Sequence, residues 1–270
     1  MDDRLPISVL LLAADEETRL ATLLPGLAFA REVVVVIDSR TTDGSRDIAA
    51  RNGARIVERT LDGFGPQRQF GLSHCREPWV LWLDSDERLD GAALEAVRRA
   101  VANAPASDGP AAFRLERRTW FLGRRIRFCG WRGERLVRLF RRTQARFDDA
   151  PVHERVLIDG AIAELPGVIE HRSYETWADC RDKLVRYSAA GAERARRAGR
   201  RAGPLDLVVR PPLRFLRMYV LQLGVLDGPR GVAVCALAAA QVLLKYAELW
   251  ARPLSDSSVS GSKPPPSGSP

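Results

Sequence analysis

Apolar and polar positions along this chain change their period more than once. Within the first ninety residues, short apolar runs alternate with amphipathic stretches. Residues 7–12 form one run, 32–37 (Glu-Val-Val-Val-Val-Ile) a second, 55–58 a shorter third and 79–83 (Trp-Val-Leu-Trp-Leu) a fourth. Runs of this length and composition predict strands buried on both faces, as in a parallel sheet. Helices are expected between them, over about 15–27, 45–52 and 67–75. Asp15-Glu16-Glu17 puts acidic residues at the start of the first, Thr42-Asp43-Gly44-Ser45 supplies a turn and cap for the second, and a Gly-Phe-Gly-Pro loop at 63–66 precedes the third. Strands alternating with helices imply right-handed crossovers and an α/β fold, with a mostly parallel sheet flanked by helices.

Past residue 90 the pattern loosens. A helix over 91–103 runs into a polar stretch at 104–110, and short strand-like pieces follow at 112–117, 135–140 and 155–158. Residues 174–203 read as helical and strongly basic, and two apolar segments, 205–226 and 232–250, flank Asp-Gly-Pro-Arg-Gly at 227–231. The expected organisation is a domain over 1–172 divided near residue 110, a basic amphipathic helical region over 173–252 as a C-terminal extension, and a Ser/Pro/Gly-rich tail over 253–270 that should be disordered. There is no internal repeat.

Charge adds a constraint. The net charge is +8, and of 42 basic residues all but Lys183, Lys245 and Lys263 are arginine. Arginine recognises phosphate bidentately and tolerates an anionic membrane face, so basicity alone does not separate nucleic acid, lipid and nucleotide as partners. Nucleic acid is the least favoured. The chain has no recognisable binding motif for it, and aspartates at strand ends would repel phosphate without a metal. Cys75, Cys129, Cys180 and Cys235 lack any zinc-ligand spacing and read as ordinary thiols. The first apolar run follows aspartates rather than a basic segment, which argues against a signal peptide. No stretch approaches the roughly 18–20 apolar residues of a membrane span, and a cytoplasmic protein is expected.

The fourth strand carries the chemistry. It ends in Asp84-Ser85-Asp86, and ligands of open α/β sheets bind outside the carboxyl ends of the strands. Two hard oxygen donors there suit Mg²⁺ or Mn²⁺, which reaches proteins through one or two carboxylates plus substrate phosphates. A helix-capping acidic turn would look similar.

Three segments in order, Leu-Leu-Ala-Ala-Asp-Glu-Glu (11–17), Val-Val-Val-Ile-Asp-Ser-Arg-Thr-Thr-Asp-Gly-Ser (34–45) and Leu-Trp-Leu-Asp-Ser-Asp-Glu (81–87), resemble the nucleotide-sugar half of family 2 glycosyltransferases, with the GT-A fold. Gly-Phe-Gly-Pro-Gln-Arg (63–68), Gly-Trp-Arg-Gly-Glu-Arg (130–135) and Pro-Val-His-Glu-Arg-Val (151–156) resemble the branch containing bacterial lipopolysaccharide core β-1,4-glucosyltransferases. The resemblance covers about residues 5–250. It implies that Asp38 accepts the imide N–H of uracil, although an aspartate there can instead cap the following turn. It implies that Ala13, Asp15 and Glu17 pass under the base and ribose, that Asp84 and Ser85 lie near the ribose or donor sugar, and that Asp86, with Asp84, holds the metal. Arg68 becomes a donor or phosphate contact, or else a solvated helix arginine. The family commonly has asparagine at position 15 and glycine at position 40, where this chain has Asp15 and Arg40.

Inverting transfer needs a base for the acceptor hydroxyl. The family motif points to Glu154 with His153 orienting it or touching the acceptor, with Asp148 and Asp149 as competitors. Trp131, Arg132, Glu134 and Arg135 are expected to line the acceptor pocket, whereas His74 and His171 read as structural. The implied activity is transfer of a hexose, glucose from UDP-glucose as first choice, to an inner-core or similar lipid-linked glycan. A polysaccharide repeat unit or polyprenyl phosphate is the alternative acceptor. Arginines 194–217 interleave with apolar residues in the C-terminal region, which fits an element lying on the inner face of the cytoplasmic membrane, a hairpin folded on the catalytic domain, or a subunit contact.

Overall fold

The computed structural model of the chain describes residues 3–103, 109–148 and 155–251. The polar stretch 104–108, the segment 149–154 with Asp149, His153 and Glu154, and the tail from 252 lie outside the described residues. Two compact units make up the chain: Met1–Trp120 with Gly133–Ser173, and Phe121–Arg132 with Tyr174–Pro270.

In the first unit, β1 (Leu5–Ala13), α1 (Glu17–Leu23), β2 (Ala30–Asp38), α2 (Ser45–Arg51), β3 (Arg55–Arg59), α3 (Phe64–His74) and β4 (Trp79–Trp82) follow one another as alternating strands and helices. β5 (Glu87–Leu89) and α4 (Gly91–Asn103) come next. After β6 (Ala112–Phe121) and the two-residue β7 (Arg124–Arg125) of the second unit, the first unit resumes with β8 (Arg135–Arg141), β9 (Ala145–Phe147), β10 (Val156–Ile158) and β11 (Ile162–Tyr174). The main sheet has the order β3-β2-β1-β4-β8-β6-β11-β5, and β9 and β10 form a separate antiparallel pair. β1 runs parallel to β2 and β4, and β2 to β3; β4–β8, β8–β6 and β11–β5 are antiparallel. The α/β fold is therefore a parallel core extended by antiparallel strands.

Strand periodicity explains the two core layers. Ile7, Val9, Leu11, Val35, Ile37, Leu81 and Leu83 point to one face, where Leu20 of α1, Ala49 of α2 and Ala93, Ala96 and Val97 of α4 cover them. Leu10, Val34, Val36, Val80 and Trp82 point to the other, beneath Leu72 of α3. Both faces of β1, β2 and β4 are thus dry, which is why their sequences are apolar throughout rather than alternating. Gly71 lets α3 settle on this layer, because a Cβ there would lie 2.5 Å from Leu10 Cδ1 and 2.7 Å from Val36 Cγ2.

In the second unit, α5 (Trp177–Arg197) starts from a reciprocal capping box between Thr176 and Asp179. The short α6 (Pro204–Val208) and α7 (Arg210–Leu216) continue into a π-helical turn, Arg217–Leu221, and a 3₁₀ turn, Gly224–Asp227, before α8 (Gly228–Ala251). α8 packs on α5 and α7. The Asp227 carboxylate accepts the backbone N–H groups of Arg127 and Phe128, each at 2.9 Å, and ties the 121–132 loop to the start of α8. The segment Gly224–Ala251 is long and apolar enough to cross a membrane by length and composition, with a mean hydropathy of 1.6 over its best 18 residues. This corrects the expectation that no stretch comes near that length. The segment collects its hydropathy from leucine, valine and alanine and keeps Asp227, Arg230, Lys245 and Glu248 towards its ends. One such helix is also what a helical core contains. Ser188 of α5 donates to the Gln241 carbonyl of α8 at 3.2 Å, and Gly191 of α5 faces the Lys245 side chain.

At Gly167 of β11, φ is +88° and a Cβ would fall 2.1 Å from the backbone nitrogen of Ala93. Gly167→Ala combines left-handed backbone with a clash against main chain, and is expected to destabilise the protein by about 2–4 kcal/mol, measured by urea unfolding. An unchanged midpoint would refute this packing of β11 on α4.

Candidate functional site

The sequence-predicted donor residues cluster at the carboxyl ends of the parallel strands. Asp38 ends β2 and the Asp84-Ser85-Asp86 turn follows β4, one on each side of β1 in the sheet. Ala13 ends β1 and is buried. Asp15, at φ 53°, accepts the backbone N–H groups of Thr42 (2.8 Å) and Asp43 (3.3 Å). Glu17 accepts the Gly44 N–H at 3.0 Å and gives its own N–H to Asp43 Oδ2 at 2.9 Å. These bonds latch the loop after β1 to the loop after β2, so Asp15 and Glu17 brace the crevice around Asp38.

Asp38 is 6% exposed. Its carboxylate accepts from Arg40 Nε at 3.1 Å, Arg40 Nη2 at 2.7 Å, and the backbone N–H groups of Arg40 and Leu61. The Arg40 guanidinium, with the backbone donors adding to it, holds the carboxyl down to about 2 against the upward push of burial. The turn-capping role weighed for Asp38 is therefore present. Arg40 covers this carboxylate with a side chain that is 64% exposed and so moves at little expense.

Asp84 receives Arg68 Nη2 on Oδ1 at 3.0 Å and Arg138 Nη2 on Oδ2 at 3.1 Å. Arg68 is buried rather than solvated. Its guanidinium lies 4.2 Å from the Trp82 ring centroid, and that of Arg138 lies 4.1 Å from the same ring. Arg138 Nη2 also bonds Glu87 Oε1 at 2.6 Å; these two side chains are 2% and 0% exposed. Arg117 Nη1 stands 3.6 Å from the same Glu87 oxygen. Burial alone would raise Asp84, but the charges of Arg68 and Arg138 outweigh it and hold the carboxyl below the ordinary range. For Glu87 burial wins, with Asp84 adding to it against the pull of Arg138, and the carboxyl is pushed up. Sequence reasoning missed Arg138 and Glu87. Glu87 sits one residue beyond the aspartates, and Arg138 is one arginine among many.

His171, taken from sequence as structural, stands with Nε2 3.5 Å from Asp86 Oδ1, and its Nδ1 lies 3.3 Å from Thr119 Oγ1. β11 brings it there by pairing His171 with Glu87 of β5, while the Arg172 N–H donates to the Asp86 carbonyl at 2.8 Å. A carboxylate oxygen and an imidazole nitrogen at this separation fit two positions around one divalent cation, and the imidazole tilts the preference from Mg²⁺ towards Mn²⁺. Among the described residues no group of three or more His, Cys, Asp or Glu could hold a metal, and a cation at such a pair would draw on substrate phosphates and water as well. Both oxygens of Asp84 face arginines, which leaves Asp86 as the better placed of the two predicted ligands. Ser85 is buried in the turn between them.

The predicted acceptor residues divide between the two units. Glu134 pairs with Arg117 at 2.7 Å and Arg135 with Glu164 at 2.6 Å, in the first unit. Trp131 stacks on Tyr174, with centroids 6.0 Å apart, and Arg132 lies over Phe128, in the second. His74 bonds the Phe70 carbonyl at 2.8 Å. Asp148 accepts the Arg155 N–H at 3.0 Å.

A parallel α/β half with acidic turns at the ends of adjacent strands is the layout of a GT-A glycosyltransferase. Residues 10–156, more than half of the chain, match glycosyl transferase family 2, and the chain belongs to that family. It is 30% identical over 274 residues to the lipopolysaccharide core biosynthesis glycosyltransferase LpsC of Rhizobium meliloti (strain 1021), an alignment spanning 96% of this chain and 100% of that one. An uncharacterized glycosyltransferase of Rickettsia conorii (strain ATCC VR-613 / Malish 7) is 35% identical over 83 residues, 31% of this chain and 29% of its own. Among solved structures, S. aureus TarS 1-349 in complex with UDP-GlcNAc aligns over 90% of this chain and 92% of that one, with a TM-score of 0.44 and 14% identity, a likeness too low to carry further argument.

Two outcomes test this geometry. Arg138→Met strands Asp84 and Glu87 without their shared counter-charge, and should cost about 3–5 kcal/mol in chemical denaturation; a loss below 1 kcal/mol would show that the network is not formed. Asp38 has a lowered folded pKa, so its contribution is present above the unfolded value of about 4 and is lost as pH falls towards about 2. In Arg40→Ala, the carboxyl titration of Asp38 followed by NMR should move up towards about 4; no movement would mean that Arg40 is not its main partner.

Proposed function

We propose that this glycosyltransferase moves a hexose from a UDP donor, glucose being the first candidate, onto an inner-core sugar of lipopolysaccharide or a similar lipid-linked glycan, with inversion at the anomeric carbon. The observation that carries the donor reading is the pairing of Asp86 with His171 beside the carboxyl end of β4, 3.5 Å apart. The acceptor reading is supported by likeness to a lipopolysaccharide core biosynthesis glycosyltransferase along its full length.

The residues divide the work. Asp38 accepts the imide N–H of uracil once Arg40 swings out. Its carboxyl stays ionised at neutral pH, as an acceptor must. Asp15 and Glu17 keep the loops under the base and ribose in place. Asp86 and His171 hold a divalent cation, Asp86 by carboxylate and His171 by Nε2. When bound, that cation offsets the negative charge that gathers on the β-phosphate as the bond to the sugar breaks. Arg68 and Arg138 keep Asp84 ionised and fix the turn, so the donor sugar meets a rigid carboxylate. Glu154 is the proposed base for the acceptor hydroxyl, with His153 orienting it, on the strength of their motif.

The second unit is proposed to rest on the cytoplasmic face of the inner membrane. Leu205, Val208, Leu221 and Leu226 are each more than 60% exposed, and Arg201, Arg210 and Arg217 are interleaved with them. An exposed apolar stripe with arginines fits an interfacial element, each arginine near an anionic leaflet contributing on the order of 1 kcal/mol. A lipid-linked acceptor requires that the enzyme reach the bilayer.

Thermal unfolding with nucleotides tests the donor site. UDP or UDP-glucose with Mn²⁺, at a hundredfold excess over Kd, should stabilise the protein by about 2.7 kcal/mol, and ADP and GDP should not. Asp86→Ala should abolish the Mn²⁺-dependent part while keeping the unliganded midpoint. UDP stabilisation that ignores both EDTA and this substitution would overturn the metal assignment.

A further inference from the structure

Asp38 reads the base in the proposed donor pose, yet its carboxylate already has an occupant. Oδ1 accepts Arg40 Nε–H at 3.1 Å and the backbone N–H groups of Arg40 and Leu61 at 3.2 and 3.4 Å. Oδ2 accepts Arg40 Nη2–H at 2.7 Å. Two parallel N–H···O bonds from one guanidinium are the geometry in which arginine binds a carboxylate most firmly. The Asp38 side chain is 8% exposed and the Arg40 side chain 64%, so the guanidinium is the movable part of the cover. Arg40 thus offers Asp38 what a uracil imide would offer, an N–H directed at a carboxylate oxygen, with a full positive charge behind it.

The guanidinium is held from a second side. Arg40 Nη2 also donates to the Leu61 carbonyl at 3.2 Å, and beside it the Ser39 and Thr60 hydroxyls share a hydrogen bond of 2.7 Å. The loops after β2 and β3 are therefore tied together around this side chain, and charge alone does not place it. Its departure strands no charge. Asp38 keeps the two backbone N–H groups, and the guanidinium, already mostly exposed, passes into water. An ion pair with one exposed member shifts an equilibrium by up to about fivefold. That is small enough for a nucleotide to overcome and large enough to measure.

We propose that Arg40 is an internal competitor for the nucleotide base, a specificity-site residue that occupies Asp38 in the empty enzyme and lowers the affinity for uridine nucleotides. The inference rests on the donor reading, in which Asp38 accepts the uracil imide. The apparent Kd is the intrinsic one divided by the fraction of molecules in which Asp38 is uncovered. Donor and product carry the same base, so the competitor weakens both by one factor. The chain thereby limits how tightly UDP, the product, stays in the crevice once the sugar has gone.

Isothermal titration of the full chain with UDP and Mn²⁺ tests this. Arg40→Ala should tighten UDP by about three- to fivefold. Arg40→Lys, whose ammonium is a point charge rather than a fork, should fall between Arg40→Ala and the wild type. Asp38→Asn should weaken UDP by about tenfold. On that background, Arg40→Ala should change the affinity by less than about twofold, because the competitor has lost its partner. Unchanged UDP binding in Arg40→Ala would overturn the proposal, and weaker binding would overturn it by making Arg40 a donor contact. An equal gain on both backgrounds would assign the effect to the loop rather than to the carboxylate, and would overturn it too. Should Asp38→Asn fail to fold, the order of Arg40→Ala, Arg40→Lys and wild type carries the comparison alone. Wild-type UDP affinity in Asp38→Asn would sink the uracil reading of Asp38 itself. A weakened Asp38→Asn beside an unaltered Arg40→Ala would leave that reading standing and remove only the competitor.

Discussion

Arg138 reaches Asp84 and Glu87 from a side chain as dry as the leucines around it. Charges withdrawn from water need partners at hydrogen-bond distance, and here one guanidinium serves two carboxylates. Much of the site depends on that arrangement. The Asp84 N–H donates to Glu87 Oε2 at 3.2 Å and the Glu87 N–H to the Asp84 carbonyl at 3.0 Å, so the Glu87 carboxylate that Arg138 holds also closes the turn that presents Asp86. The Trp82 ring lies close to both guanidiniums and keeps them next to β4. Its own Nε1 is buried without a hydrogen-bond partner, a local sacrifice that goes with using the ring as an electron-rich face.

The two halves of the sheet contribute different things. The parallel half sets position: β2 and β4 end on either side of β1, and the loops after β1 and β2 are cross-linked through Asp15, Glu17 and the 42–45 turn. The aspartate at position 15, where asparagine would be expected, holds a left-handed backbone that both residue types tolerate, and its carboxylate accepts two N–H groups of the next loop. The antiparallel half supplies chemistry. Arg138 comes from β8, Arg117 and Thr119 from β6, and His171 from β11. The proposed donor site therefore draws on both halves of the first unit, and the first ninety residues alone would leave Asp84 with Arg68 but Glu87 without Arg138 or Arg117.

This division also explains what could be read in advance. β1, β2 and β4 are buried on both faces, so they announce themselves as apolar runs, and their ends locate Asp38, Asp84 and Asp86. β11 does not. It is half-buried, interrupted by Pro166 and Gly167, and carries Glu164, Glu170, His171 and Arg172, so no apolar period marks it. Without that strand, His171 has no address, and it read as structural. Arg138 sits within Arg-Leu-Val-Arg-Leu-Phe-Arg, where nothing in the pattern separates the buried arginine from the two at the ends. The second unit was legible as helical and basic. A cavity beside Lys183 was not, because it forms only where the 121–132 loop, α5, α7 and α8 converge, from residues far apart in the chain.

Arg68 and Arg138 are already committed to Asp84 and Glu87, and Arg117 is shared between Glu87 and Glu134. A nucleoside diphosphate approaching this crevice would bring further negative charge towards Asp86 with no uncommitted guanidinium among these three to meet it. Pulling Arg138 away would strip the fully buried Glu87 of its hydrogen-bonded cation, which is the more expensive choice. Arg40 can leave Asp38, because that pair lies at the surface, but Asp38 faces the base rather than the phosphates in the proposed donor pose. A divalent cation held by Asp86 and His171, as proposed above, would meet that charge without breaking the network. On this account, the arginines beneath the turn hold Asp84 and so fix the turn that presents Asp86, and a metal held there, rather than an arginine, would supply the positive charge for the donor.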